Sequence, residues 1–97
     1  MGSDDIMVFN HEEQANFKVK IDTVADVREF VNTACNCPYG TSIVLKRDEY
    51  TWVDGKSIMG LFSLNLSEPV TMAILSNESD NMIEKIVHKF DKWRTNE

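Results

Sequence analysis

Few side chains in this sequence are equipped for chemistry near neutral pH. Two histidines, His11 and His88, and two cysteines, Cys35 and Cys37, stand among a scatter of carboxylates and hydroxyls. Cys35-Asn36-Cys37 has the shape of half a thiolate metal site. No second Cys or His pair accompanies it, so two reduced thiols at a helix end are the simpler reading, and neither a metal nor another cofactor is expected. Thr23 stands three residues before Asp26, the spacing of a capping box, in which the threonine oxygen accepts an early N–H and the carboxylate sits at the favourable end of the helix dipole. Ser57 directly precedes the apolar cluster Ile58, Met59, Leu61, Phe62 and Leu64, and a serine so placed is a natural N-cap.

These positions need elements to hold them. Phe17 to Ile21 alternates strictly between apolar and charged residues, the period of a half-buried strand. Val24, Val27, Phe30, Val31 and Ala34 then recur at three- and four-residue steps, which predicts a helix from Val24 to Asn36 with that stripe inward. Cys37-Pro38-Tyr39-Gly40 ends it. Thr41 to Leu45 and Tyr50 to Val53 read as a hairpin, joined by the charged Lys46-Arg47-Asp48-Glu49. A brief helix follows Ser57, and Val70 to Leu75 supplies a fourth strand behind Pro69. Met82, Ile83, Ile86, Val87, Phe90 and Trp93 fall on one stripe of a final helix expected from Glu78 to Arg94, where His88 is a partly exposed helix residue. The order βαββαβα has too few parallel crossovers for a doubly wound sheet. It predicts an α+β fold with helices on one face of a four-stranded antiparallel sheet.

The bulk composition narrows the function classes. Ninety-seven residues, 42% of them hydrophobic and 27% charged, suit one globular domain. Residues 16–94 are expected to form it, with 1–15 as an N-terminal extension. The opening Met1-Gly2-Ser3-Asp4-Asp5-Ile6 can be read as a leader added for expression, with Met7 as the natural start. It fails the myristoylation pattern because Ile6 stands where Ser or Thr is required. Ten Lys and Arg against sixteen Asp and Glu give a formal charge of −6, the wrong sign for a binder of phosphate backbones, so no nucleic-acid partner is expected. No apolar run is long enough for a bilayer span and no secretory leader pattern opens the chain, so a soluble, cytoplasmic protein without a membrane partner is expected.

Gly55-Lys56-Ser57-Ile58-Met59-Gly60-Leu61-Phe62-Ser63-Leu64 resembles the regulatory-serine motif of HPr, the small phosphocarrier of the bacterial sugar phosphotransferase system. Phe17-Lys18-Val19 in the first strand and Arg28 in the first helix also fall where that family places its equivalents, and the similarity runs from Phe17 to Phe90. The resemblance implies an open-faced β-sandwich, a four-stranded antiparallel sheet covered on one face by three helices, in agreement with the element order above.

The resemblance breaks where the family does its chemistry. In HPr proper a histidine in a Gly-x-His-Ala-Arg-Pro segment carries the phosphoryl group from enzyme I to a sugar-specific IIA unit. Val24-Ala25-Asp26-Val27-Arg28-Glu29 fills that segment here, so Asp26 stands at the histidine position, Glu29 replaces the proline and Val24 replaces the glycine. An aspartyl phosphate is a mixed anhydride that normally needs a bound metal to form, so no catalytic residue is assigned and the chain is at most a degenerate phosphocarrier. Absorption of the loop into an extra helical turn would make Asp26 structural, while Asp26 and Glu29 flanking Arg28 would repel an incoming phosphate. His11, six residues before Phe17, lies about 20 Å from Asp26 if the chain is extended, too far to substitute.

Ser57 keeps the family's control position, used by a dedicated HPr kinase, and it reads either as a regulatory phosphoserine or as a plain cap. Ile58, Met59 and Phe62 match side chains that the family leaves exposed for docking onto enzyme I, IIA units and a catabolite-control repressor. They are either a partner-binding patch or core, whereas Leu61 and Leu64 are expected in the core. The function this implies is regulatory protein–protein interaction controlled at Ser57, with HPr kinase, phosphotransferase components or a transcriptional regulator as partners. The alternatives are a phosphocarrier using Asp26 with Arg28, or an interaction domain unconnected to sugar transport.

Overall fold

A computed structural model describes residues 13–96 of the chain, and His11 and the segment Met1 to Ile6 lie outside them. Its elements run β1 (Glu13–Val19), α1 (Val24–Cys35), β2 (Ser42–Lys46), β3 (Trp52–Asp54), α2 (Ile58–Ser63), β4 (Val70–Leu75) and α3 (Asp80–His88), followed by a 3-10 turn (Asp91–Trp93). The strands form one sheet in the order β1-β4-β2-β3, and every neighbouring pair is antiparallel. The fold is therefore α+β, a four-stranded antiparallel sheet with three helices, as the element order predicts.

Alternation decides which side of the sheet the helices cover. Val19, Ile43, Leu45, Val70, Met72 and Ile74 point to one face and join Val27, Phe30, Ala34, Leu61, Ile83 and Ile86 of the helices in one buried cluster. Val44, Ala73 and Leu75 lie on the opposite face as a small second cluster. On that open face Glu13 of β1 and Lys46 of β2 form an ion pair across the intervening β4.

The hairpin strands are shifted by one or two residues, and two elements depart further from their expected limits. β1 begins at Glu13 rather than Phe17 because the residues before Phe17 pair with the far end of β4, Glu13 opposite Leu75, with an irregularity between Glu13 and Ala15. The final helix stops at His88 rather than at Arg94. Beyond it the bonds tighten to i→i−3, from Lys89 N to Ile86 O (3.1 Å), Phe90 N to Val87 O (3.0 Å) and Trp93 N to Phe90 O (3.1 Å). The apolar stripe still holds, since Phe90 and Trp93 remain buried, but the chain leaves helical geometry to reach β1. Lys20 N donates to Trp93 O (2.7 Å), Thr95 N donates to Lys18 O (3.0 Å), and Val19 bridges to Arg94. Residues 91–95 are thus a strap along the outer edge of β1, which a helical repeat read by itself does not reveal. No helix among the described residues is long and apolar enough to cross a membrane.

Candidate functional site

Ser57 and its neighbours are set by a tight turn out of β3. The Asp54 carboxylate accepts from Lys56 N (2.9 Å) and the Asp54 carbonyl from Ser57 N (3.0 Å). Gly55 is required here: its N–H reaches Ile43 O at 2.7 Å, and a Cβ in its place would stand 2.7 Å from the Ile43 side chain. Ser57 is the N-cap of α2, its Oγ accepting from Gly60 N at 3.0 Å. A side chain at Gly60 would press on that same Oγ and on Val53 Cβ, both 3.2 Å from the Cβ position. Both glycines of the motif therefore have structural work, which by itself accounts for their presence. Lys56 Nζ ties the turn to Thr41 O, and Cys35 Sγ approaches Lys56 O at 3.8 Å, so Ser57 sits beside the C-terminal end of α1.

The Ser57 hydroxyl is half-buried and acts in the cap only as an acceptor. Ser57→Ala should cost about 1 kcal/mol of stability, read as a lower urea midpoint at unchanged slope. A change in the slope would mean that α2 is lost altogether rather than uncapped.

α2 sends its apolar side chains two ways. Leu61 is fully buried and Leu64, just past the helix, nearly so, as expected. Met59 is 74% exposed, Phe62 49% and Ile58 36%, so these three are surface rather than core. Val24, expected to face inward, is exposed as well, because it is the first residue after the Thr23 cap, at the margin of the helix that meets the sheet. It lies across a shallow groove of about 320 Å³ from Phe62, with Val27, Leu64 and Leu66 along the groove and Lys20 and Asp22, themselves ion-paired, at its rim. Phe62, Val24 and the groove side chains between them thus make an apolar strip from α2 to the start of α1, which Ile58 and Met59 do not line.

Asp26 and Glu29 do not form the open negative surface that their spacing around Arg28 suggests. Thr23 caps α1, its Oγ accepting from Asp26 N at 3.0 Å. Desolvation opposes ionisation of Asp26, but the Thr23 hydroxyl, the Trp93 indole N–H and the backbone N–H groups of Asp22 and Thr23 outweigh it and hold the carboxyl below its usual value. Thr23 thus caps α1 through Asp26 N, the forward half of the capping box that the spacing suggests, with the Asp26 carboxyl in the first turn, where the helix dipole favours its charge. Glu29 is ion-paired with Lys92 of the strap. Arg28 is exposed and pairs with no carboxylate among the described residues.

The remaining candidates lie apart. Cys35 is exposed and Cys37 buried, both as free thiols; burial pushes the Cys37 thiol up, against the partial opposition of Lys89 and Lys56. Cys37 Sγ turns to Thr33 O (3.5 Å) rather than toward the acceptor of Cys35. His88 is exposed at the end of α3, 3.0 Å from the Asp91 carboxylate. Among the described residues no three His, Cys, Asp or Glu side chains are grouped to hold a metal ion. Asp26 lies roughly 14 Å from Cys35 along α1 at 1.5 Å per residue, so the Asp26 and Ser57 positions occupy opposite ends of the helical surface. Sequence spacing alone misses Val24, which the tertiary placement of α2 brings to the groove, and Lys92 and Trp93, whose parts depend on where the strap lands. Searches of protein-family models, of curated proteins and of solved structures find no match to this chain.

Proposed function

We propose that this protein is an HPr-like module without the phosphoacceptor histidine, a cytoplasmic bacterial regulator that works by binding other proteins and not by transferring phosphate. The observation that carries this reading is the division of α2. Leu61 is buried, while Ile58, Met59 and Phe62, the positions that resemble the family's docking surface, are turned outward, Phe62 across a groove from Val24. Exposed apolar side chains gathered on one short helix are costly to leave in water and mark an interaction surface. Ser57 stands at the head of the same helix, where added phosphate charge would change which partners can approach. Its Oγ serves the cap as an acceptor, and a phosphoester keeps acceptor oxygens at that place.

The partners this reading names are HPr kinase, phosphotransferase components and a transcriptional regulator. Incubated with HPr kinase and ATP, the chain should take up one phosphate at Ser57, and Ser57→Ala should take up none. An unmodified wild-type chain removes control at Ser57 from the proposal. Phosphoenolpyruvate and enzyme I should leave no label on Asp26; a hydroxylamine-labile label there would replace this reading with that of a phosphocarrier.

A further inference from the structure

Asp26, Glu29 and Phe30 stand at i, i+3 and i+4 on α1 and so share one helical face. Two of the three meet the C-terminal strap. Glu29 pairs with Lys92, and the Phe30 ring lies edge-on to Trp93 with centroids 5.2 Å apart, which puts Asp26, one turn before Phe30, on the side of α1 that faces Trp93. The strap is fastened on its other side to β1, through Lys20 N to Trp93 O and Thr95 N to Lys18 O, with Arg94 over the Phe17 ring at 4.6 Å. One atom in this arrangement is unsatisfied: Trp93 is 4% exposed, and its Nε1 is buried without a hydrogen-bond partner at normal geometry. Buried indole N–H groups almost always find an acceptor.

We infer that Asp26 and Trp93 form a latch, in which one carboxylate oxygen serves the cap of α1 and the other accepts the Trp93 indole proton, fastening the strap 91–95 to the first turn of α1. A carboxylate has lone pairs enough for both tasks. The strap and the first turn then order together. Since that turn carries Val24, displacement of the strap loosens one end of the apolar strip. The residue at the family's histidine position thus joins the C-terminal segment to the surface beside it.

Amide hydrogen exchange and NMR titration of the Asp26 carboxyl in the full chain test this, using Asp26→Ala and Trp93→Phe. Trp93→Phe keeps an aromatic ring on Phe30 and removes the indole donor; it should raise the Asp26 pKa and speed exchange of the Lys20 and Thr95 amides roughly tenfold. Asp26→Ala should speed those same two amides, although neither belongs to α1. In the double variant the two effects should not add, because each removes the same bond. The latch is overturned if Asp26→Ala loosens only the first turn of α1, as loss of a helix cap does. Unchanged titration of Asp26 in Trp93→Phe, or additive effects in the double variant, overturns it equally.

Discussion

Phe30→Ala should destabilise the protein by about 3–5 kcal/mol, the range for truncating a buried aromatic side chain. Phe30 has no solvent exposure, and its ring meets two others: Phe90 at 5.0 Å between centroids and Trp93 at 5.2 Å, with Phe90 and Trp93 themselves 6.0 Å apart. This triad joins α1 to the turn after α3 and to the strap, and tilted or edge-on pairs of this kind add about 0.5–1.5 kcal/mol each beyond simple burial. Alanine would leave a cavity that the neighbouring rings cannot fill without losing their hold on β1. Since domains are stable by only about 5–15 kcal/mol, the loss is a large share of the total. Urea unfolding reads it directly, as a drop in midpoint with the slope kept. Phe30→Leu, which retains most of the volume, should cost markedly less. A loss below about 1 kcal/mol for Phe30→Ala would show that the helices are anchored elsewhere.

Periodicity reads this chain well wherever an element packs in its own register. The alternation around Phe17 to Val19 and the stripe Val27, Phe30 and Ala34 find the buried faces of β1 and α1. Thr23 and Ser57 cap their helices as small hydroxyl residues before apolar runs should, while the final helix begins at Asp80 behind Ser79 rather than at Glu78. Periodicity fails at the C-terminus, where Phe90 and Trp93 continue a helical stripe but are buried from a 3-10 turn. The stripe records which residues face inward; it does not record that the backbone must bend toward Lys18 and Lys20. The same gap makes Asp26 and Glu29 look like bare surface charge, since the positions of Lys92 and Trp93 depend on that bend. For Ile58, Met59 and Phe62 sequence spacing leaves core and surface open. A helix of six residues makes fewer than two turns, too few for a stripe to separate its faces, and only the tertiary placement of Leu61 does so.

Met59→Asp and Phe62→Asp should each weaken partner binding by at least about 30-fold while leaving the fold intact. Apolar anchors at the centre of an interface commonly contribute about 2 kcal/mol or more when truncated, and a carboxylate placed there adds the cost of burying an unpaired charge. Met59 is 74% exposed, so its variant should stay within about 0.5 kcal/mol of wild type, whereas Phe62, 49% exposed and lining the groove, should lose about 1 kcal/mol and still fold. The probe is a catabolite-control repressor, one of the partners that the resemblance implies, titrated calorimetrically against the chain with Ser57 phosphorylated and unmodified. Leu61→Asp provides the contrast on the same helix. It forces a charge into a fully buried position and should unfold the domain outright, so binding lost through unfolding is distinguishable from binding lost at the surface. Arg28→Ala serves as a probe of reach, since the unpaired guanidinium lies one turn along α1 from Val24 and a partner carboxylate within range would show as a salt-dependent loss. Wild-type affinity in both aspartate variants would take Met59 and Phe62 out of the interface, and collapse of either variant would place them in the core instead.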